Sequence, residues 1–111
     1  RRRAILAAAA VLALVAGASV VMPTIGHEGD AFVDVVALDG YNWGTSQSWS
    51  AWQNPDALFG QGLAELRTLA PAKEIIIAET ASAEQDGSKT DWNTRLIAYL
   101  DAQPDVSAVV W

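Results

Sequence analysis

Glu74-Ile75-Ile76-Ile77-Ala78-Glu79-Thr80 is the stretch on which the fold turns. Three consecutive isoleucines are β-branched and favour an extended backbone. A short run that is apolar on both faces fits a strand covered from both sides, the usual state in a parallel sheet. Two further runs read the same way. Val33 to Leu38 (Val-Asp-Val-Val-Ala-Leu) is bounded by Gly29-Asp30 and Asp39-Gly40, and Val106 to Trp111 follows Pro104. Between them lie helical patterns. Asn54-Pro55-Asp56 is a helix start, with Asn54 at the N-cap, Pro55 at the first position and Asp56 near the positive end of the helix dipole. Leu58, Phe59, Leu63, Leu66 and Leu69 recur at helical spacing until Pro71. Gly60 and Gly62 weaken that helix or permit close packing. Ser88-Lys89-Thr90-Asp91 can serve as a capping box, and Trp92, Leu96, Tyr99 and Leu100 form the next apolar stripe.

Strands starting at residues 33, 74 and 106, alternating with helices, give a parallel α/β pattern. A closed eight-fold barrel needs about 250 residues. This chain has 111. A sheet of three parallel strands with two helices has raw edges and a thin core. The expected fold is therefore the C-terminal portion, about three βα strands, of a (β/α)8 TIM barrel.

Residues 1–23 differ from the rest. Arg1-Arg2-Arg3 leads into an uncharged run from Ala4 to Met22 in which Ser19 is the most polar side chain. A basic start, an apolar stretch and the small residues Ala16-Gly17-Ala18 read as an N-terminal hydrophobic helix that is either a cleaved signal peptide or a retained membrane anchor through residues 4–22. Both place residues 24–111 outside the cytoplasm, secreted or extracytoplasmic. A buried core helix fits less well, because the run has no amphipathic face. Of the 7 basic residues three are the leading arginines, against 13 acidic ones, so the remaining body is strongly acidic. That disfavours a nucleic-acid partner, which needs clustered Lys and Arg. No cysteine and a single histidine, His27, argue against a thiolate zinc site, a disulfide scaffold and a Ser-His-Asp triad. Chemistry must then run on carboxylates, hydroxyls and aromatics, with no metal or cofactor.

Glu79 stands where the isoleucine strand ends. In barrels the carboxyl ends of the strands hold the active site. A carboxylate there is a nucleophile, an acid/base group, or a structural partner for a nearby Arg. Tyr41-Asn42-Trp43-Gly44 lies at the same end of the preceding strand, in a polar, aromatic loop running from Tyr41 to Gln53. Tyr41 can donate a hydrogen bond to Glu79, and Trp43 can stack on a sugar ring or plug the barrel rim. Trp111 offers an apolar platform with one N–H donor. Trp49 and Trp52 either line a cleft or pin the loop, and Trp92 belongs to the core.

Four segments together carry a family resemblance: Asp34-Val35-Val36-Ala37-Leu38-Asp39-Gly40-Tyr41-Asn42-Trp43-Gly44, Ile75-Ile76-Ile77-Ala78-Glu79-Thr80, Lys89-Thr90-Asp91-Trp92 and Ala108-Val109-Val110-Trp111. In this order and spacing they resemble the C-terminal part of glycoside hydrolase family 26. Its members are (β/α)8-barrel enzymes, mainly β-mannanases, with some acting on other β-linked glucans and xylans. The resemblance runs from about Gly26 to Trp111. It implies that residues 24–111 hold the sixth, seventh and eighth barrel strands. It makes Glu79 the catalytic nucleophile and Tyr41 the tyrosine that hydrogen-bonds it. It places Trp111 under the sugar next to the cleaved bond, and Trp43 and Asn42 in the surrounding substrate-binding motif with Asp39.

The implied activity is that of a secreted, retaining endo-β-glycanase, of the mannan endo-1,4-β-mannosidase type, that hydrolyses O-glycosidic bonds. Its partner would be a β-linked polysaccharide: mannan, or a related glucan or xylan. The family's acid/base glutamate lies at the end of the fourth strand, which this chain does not contain. Glu28 precedes the first strand read here and is no substitute. The chain is therefore expected to be a fragment, inactive or nearly so alone. Two other classes remain in play. A secreted carbohydrate-binding protein suits the 5 tryptophans, although such modules are usually β-sandwiches, and a membrane-anchored structural fragment would carry no ligand.

Overall fold

The computed structural model describes Ala10–Ala13 and residues 33–111. Strand β1 is Ala10–Ala13, followed by β2 (Val35–Asn42), α1 (Pro55–Leu69), β3 (Glu74–Ser82), α2 (Lys89–Asp101) and β4 (Val106–Val109). The strands form one parallel sheet in the order β1-β2-β3-β4. The alternation of strand and helix is the one read from the sequence. The described residues form a partial α/β unit, and no closed barrel is present among them.

Both helices lie on one face of the sheet. Val36 and Leu38 of β2, Ile75 and Ile77 of β3, Phe59, Leu63 and Leu66 of α1, and Trp92, Leu96 and Leu100 of α2 make one buried cluster. Strands β2 and β3 send alternate residues into it. Helix α1 begins as expected at Pro55 after an extended Asn54, although the Asn54 side chain makes no capping bond. Its carbonyl accepts from Leu58 N–H at 3.0 Å. Helix α2 is capped by Ser88, whose hydroxyl accepts from Asp91 N–H at 3.2 Å. At the far end of the sheet, the Arg67 guanidinium grips Asp105 through two contacts of 2.7 Å and Gln103 through one of 2.9 Å. This ties the end of α1 to the turn before β4 and holds the Asp105 carboxyl below the usual range.

Three details depart from the expectations. First, β2 continues through Tyr41 and Asn42, and β3 through Ser82, where the sequence reading ended the strands. Their polar ends pair in register as Gly40↔Thr80, Tyr41↔Ala81 and Asn42↔Ser82. Backbone ladder bonds need no apolar side chain, so the loss of hydropathy at Glu79 marks a change of environment rather than the end of the strand. Second, β4 ends at Val109 instead of Trp111, although Val110 N–H still donates to the Ile77 carbonyl at 2.9 Å. Third, an N-terminal hydrophobic helix was expected, yet Ala10–Ala13 run extended beside Val36–Asp39. Pairing with β2 on one side takes up part of their backbone hydrogen-bonding capacity. The rest of the expected leader, with His27 and Glu28, lies outside the described residues. Among those residues no helix is long and apolar enough to cross a membrane.

Candidate functional site

The position of Glu79 depends on a break in the ladder. Leu38 pairs with Ile77, but the next residue of β2, Asp39, pairs with Glu79, so Ala78 is an extra residue opposite the Leu38/Asp39 step. Such a bulge shifts the side-chain alternation. Ile75 and Ile77 are buried before it, Thr80 and Ser82 are buried after it, and Glu79 is exposed. Regular pairing would have set Glu79 opposite Gly40, where a Cβ placed on Gly40 would meet the Phe59 ring at 2.7 Å. An ionised carboxyl in that apolar layer would be costly. The bulge instead places Glu79 on the face without helices, beside Asp39 and near Tyr41.

Tyr41 donates its hydroxyl proton to Glu79 Oε2. The bond raises the phenol above its ordinary range, with burial and the charges of Glu79 and Asp39 adding to it, so Tyr41 stays a donor. The structure thus brings the two strand-end residues together. Asp39 is the less expected member. Its carboxyl is raised, first by burial and then by the like charge of Glu79, and is partly offset by a hydrogen bond from the Glu79 backbone. Its Oδ1 is buried and has no hydrogen-bond partner among the described residues. In the sequence Asp39 is only one member of a motif. The available signal was its separation from Tyr41 by two residues, which puts both on one face of a strand.

The Asp39 shift has a consequence for stability. As pH rises, the unfolded chain releases this proton first, at the ordinary value, while the folded protein retains it. The folded state therefore binds more protons in that window, and stability falls as pH climbs through it. Asp39→Asn is expected to reduce the loss of stability between pH 4 and pH 7, measured by thermal melts at both values. An unchanged difference would refute the assignment.

The remaining candidates separate into two groups. Trp43 joins the cluster: its ring lies 5.7 Å from that of Tyr41, and 6.1 Å from Trp49 in an edge-to-face arrangement. Trp111 is 58% exposed. It lies two residues beyond the end of β4 at Val109. Asn42 points the other way. It is buried on the helix side, donates to Ser82 Oγ at 2.9 Å, and its Oδ1 accepts from the Gly44 and Gln53 backbone N–H groups at 3.3 and 2.9 Å. Its amide clamps the loop 43–53 to the strand ends. Gln53 in turn accepts from Trp92 Nε1 at 2.8 Å, so the loop is fastened to α2 as well.

Gly44 makes this loop possible. Its φ is +53°, and a Cβ there would lie 2.1 Å from the Gln85 carbonyl oxygen. Gly44→Ala is expected to cost at least about 2 kcal/mol. A reduced melting temperature with altered tryptophan fluorescence would report it, and a melt identical to wild type would contradict it.

A parallel α/β sheet with a tyrosine-bonded carboxylate exposed near its carboxyl-terminal edge defines a class of site suited to nucleophilic or acid/base chemistry. No protein-family model matches the chain. A search of curated proteins finds similarity to Endoglucanase H of Acetivibrio thermocellus, with 44% identity over 90 residues, or 78% of this chain. The chain spans about a tenth of that protein's length, 10%. At that identity the matched part of this chain is related to a segment of a glycoside hydrolase.

Proposed function

We propose that residues 24–111 are the part of a glycoside hydrolase, similar to family 26, that contributes the sixth to eighth strands of a (β/α)8 barrel and its nucleophile. The observation that carries this is the hydrogen bond from Tyr41 to Glu79 on the open face of the sheet. In a retaining reaction the ionised Glu79 attacks the anomeric carbon as the glycosidic C–O bond breaks, giving a glycosyl ester. The leaving oxygen takes a proton from a second carboxyl about 5–5.5 Å away, and water then cleaves the ester. Tyr41 keeps one Glu79 oxygen fixed and the other free to attack. Trp111 and Trp43 stack on the sugar's C–H faces, and Asn42 acts through the loop it clamps.

Asp39 is a strand neighbour of Glu79 rather than a group across a substrate cleft. The proton donor is therefore expected from strands outside this chain, and the 111 residues by themselves are proposed to be inactive. The substrate we assign is a β-linked polysaccharide. The relative's name favours β-glucan, and mannan belongs to the same proposal. The leader reading adds that the protein works outside the cytoplasm.

The test is an exchange in which the homologous segment of Endoglucanase H is replaced by that of this chain. Cleavage of soluble β-glucan should survive. Tyr41→Phe in the hybrid should lower kcat about 10- to 100-fold, the range for losing a hydrogen bond to a charged group. A folded hybrid without activity, or a Tyr41→Phe hybrid equal to its parent, would overturn the reading.

A further inference from the structure

Trp49, in the loop after β2, is 57% exposed. A large indole left this open on a surface is uncommon, and here it is contiguous with Trp43, which is 38% exposed, and through it with Tyr41. Exposed apolar patches of this kind mark interaction sites. Its exposure does not come from a loose loop. Ser46 N–H donates to the Trp43 carbonyl at 3.1 Å, Ser50 N–H to the Gln47 carbonyl at 3.1 Å, and Ser50 Oγ to the Gly44 carbonyl at 2.7 Å. Asn42 and Gly44 fix the loop at its base. The ring is therefore presented before any ligand arrives, and little ordering entropy is lost on binding.

The two indole planes meet at 66°, forming a corner rather than a stack. Trp49 can then keep a face open while its neighbour's edge or face supports it. The exposed Gln47 and Ser48 beside it supply polar atoms for hydroxyl groups. Starting from Glu79, the cluster proceeds outward through Tyr41 and Trp43 to Trp49.

We propose that Trp49 is a sugar-stacking platform for a unit of a β-linked glycan lying beyond the unit at Glu79. The proposal rests on the glycosidase reading and extends it, giving the chain a grip on polymer away from the bond that is cut. Apolar C–H faces of a pyranose suit an indole face, and a neutral ligand suits an acidic protein.

The test is affinity electrophoresis of the full 111-residue chain in gels containing soluble β-glucan, soluble galactomannan, or dextran as the α-linked control. Retardation is expected in one or both β-linked gels and not in dextran. Trp49→Ala should weaken binding about tenfold, while Trp49→Phe, which keeps a ring, should restore most of it. Gln61→Ala, on the exposed side of α1, should be retarded like wild type, which ties the effect to the platform. Absence of retardation in every gel, equal retardation of wild type and Trp49→Ala, or a Trp49→Phe chain as weak as Trp49→Ala would each overturn the platform. None of these would touch the role of Glu79, which the hybrid enzyme tests independently.

Discussion

Glu79→Ala, made in the hybrid enzyme described above, is expected to lower kcat on soluble β-glucan by at least about 10³-fold. Removing the carboxylate removes the covalent intermediate itself, whereas Tyr41→Phe only weakens the group that positions it. Each tenfold in rate is about 1.36 kcal/mol of barrier, so the alanine variant loses more than about 4 kcal/mol of transition-state stabilisation. The fold should not suffer, because the side chain is exposed on the face without helices. Unfolding midpoints of parent and variant should agree within a few degrees. The cavity left by the missing carboxylate should admit a small anion such as azide, which can attack the anomeric carbon in its place and restore part of the rate on a substrate with an activated leaving group. Retention of more than a tenth of parental activity without any added anion would mean that Glu79 is not the nucleophile.

Trp92→Ala is expected to unfold most of the chain. Trp92 is 1% exposed, lies in the core cluster of the described residues, and donates its indole N–H to the Gln53 carbonyl at 2.8 Å. Truncating a buried Trp costs about 3–5 kcal/mol. An orphaned acceptor at Gln53 adds about 1–3 kcal/mol wherever water cannot reach it. Small domains are stable by only about 5–15 kcal/mol, and a thin sheet with an open outer edge at β4 belongs near the lower end. In circular dichroism melts of the 111-residue chain, the midpoint should fall by more than about 12 °C. Trp92→Phe keeps one aromatic ring in the core while losing the rest of the indole and its hydrogen bond, so it should fall less than the alanine variant. A drop of under about 5 °C for the alanine variant would show that α2 is not held to the sheet through this side chain. The same variant should also disturb the loop 43–53, since Gln53 anchors it, and so lower glycan binding at Trp49.

Local chemistry in the sequence was enough to set the order of β2, α1, β3, α2 and β4, though not the extended state of Ala10–Ala13. Three isoleucines, a proline after an asparagine, a serine cap and leucines at helical spacing act over a few residues and need no distant partner. Glu79 and Tyr41 were likewise legible as candidates, because a polar residue following an apolar strand is conspicuous. The strand ends were not, since hydropathy falls at Glu79 and Tyr41 while the ladder continues to Ser82 and Asn42. Nor was the inward turn of Asn42, whose amide is consumed by Ser82, Gly44 and Gln53. Only tertiary pairing decided that Ala78 would be an extra residue, and that single slip sends Glu79 to the open face with Asp39 instead of into the layer of Phe59. Side-chain alternation is a local rule with two equal phases, and the choice between them is made by the energy of burying a carboxylate against a helix, a term that exists only once strand and helix have met.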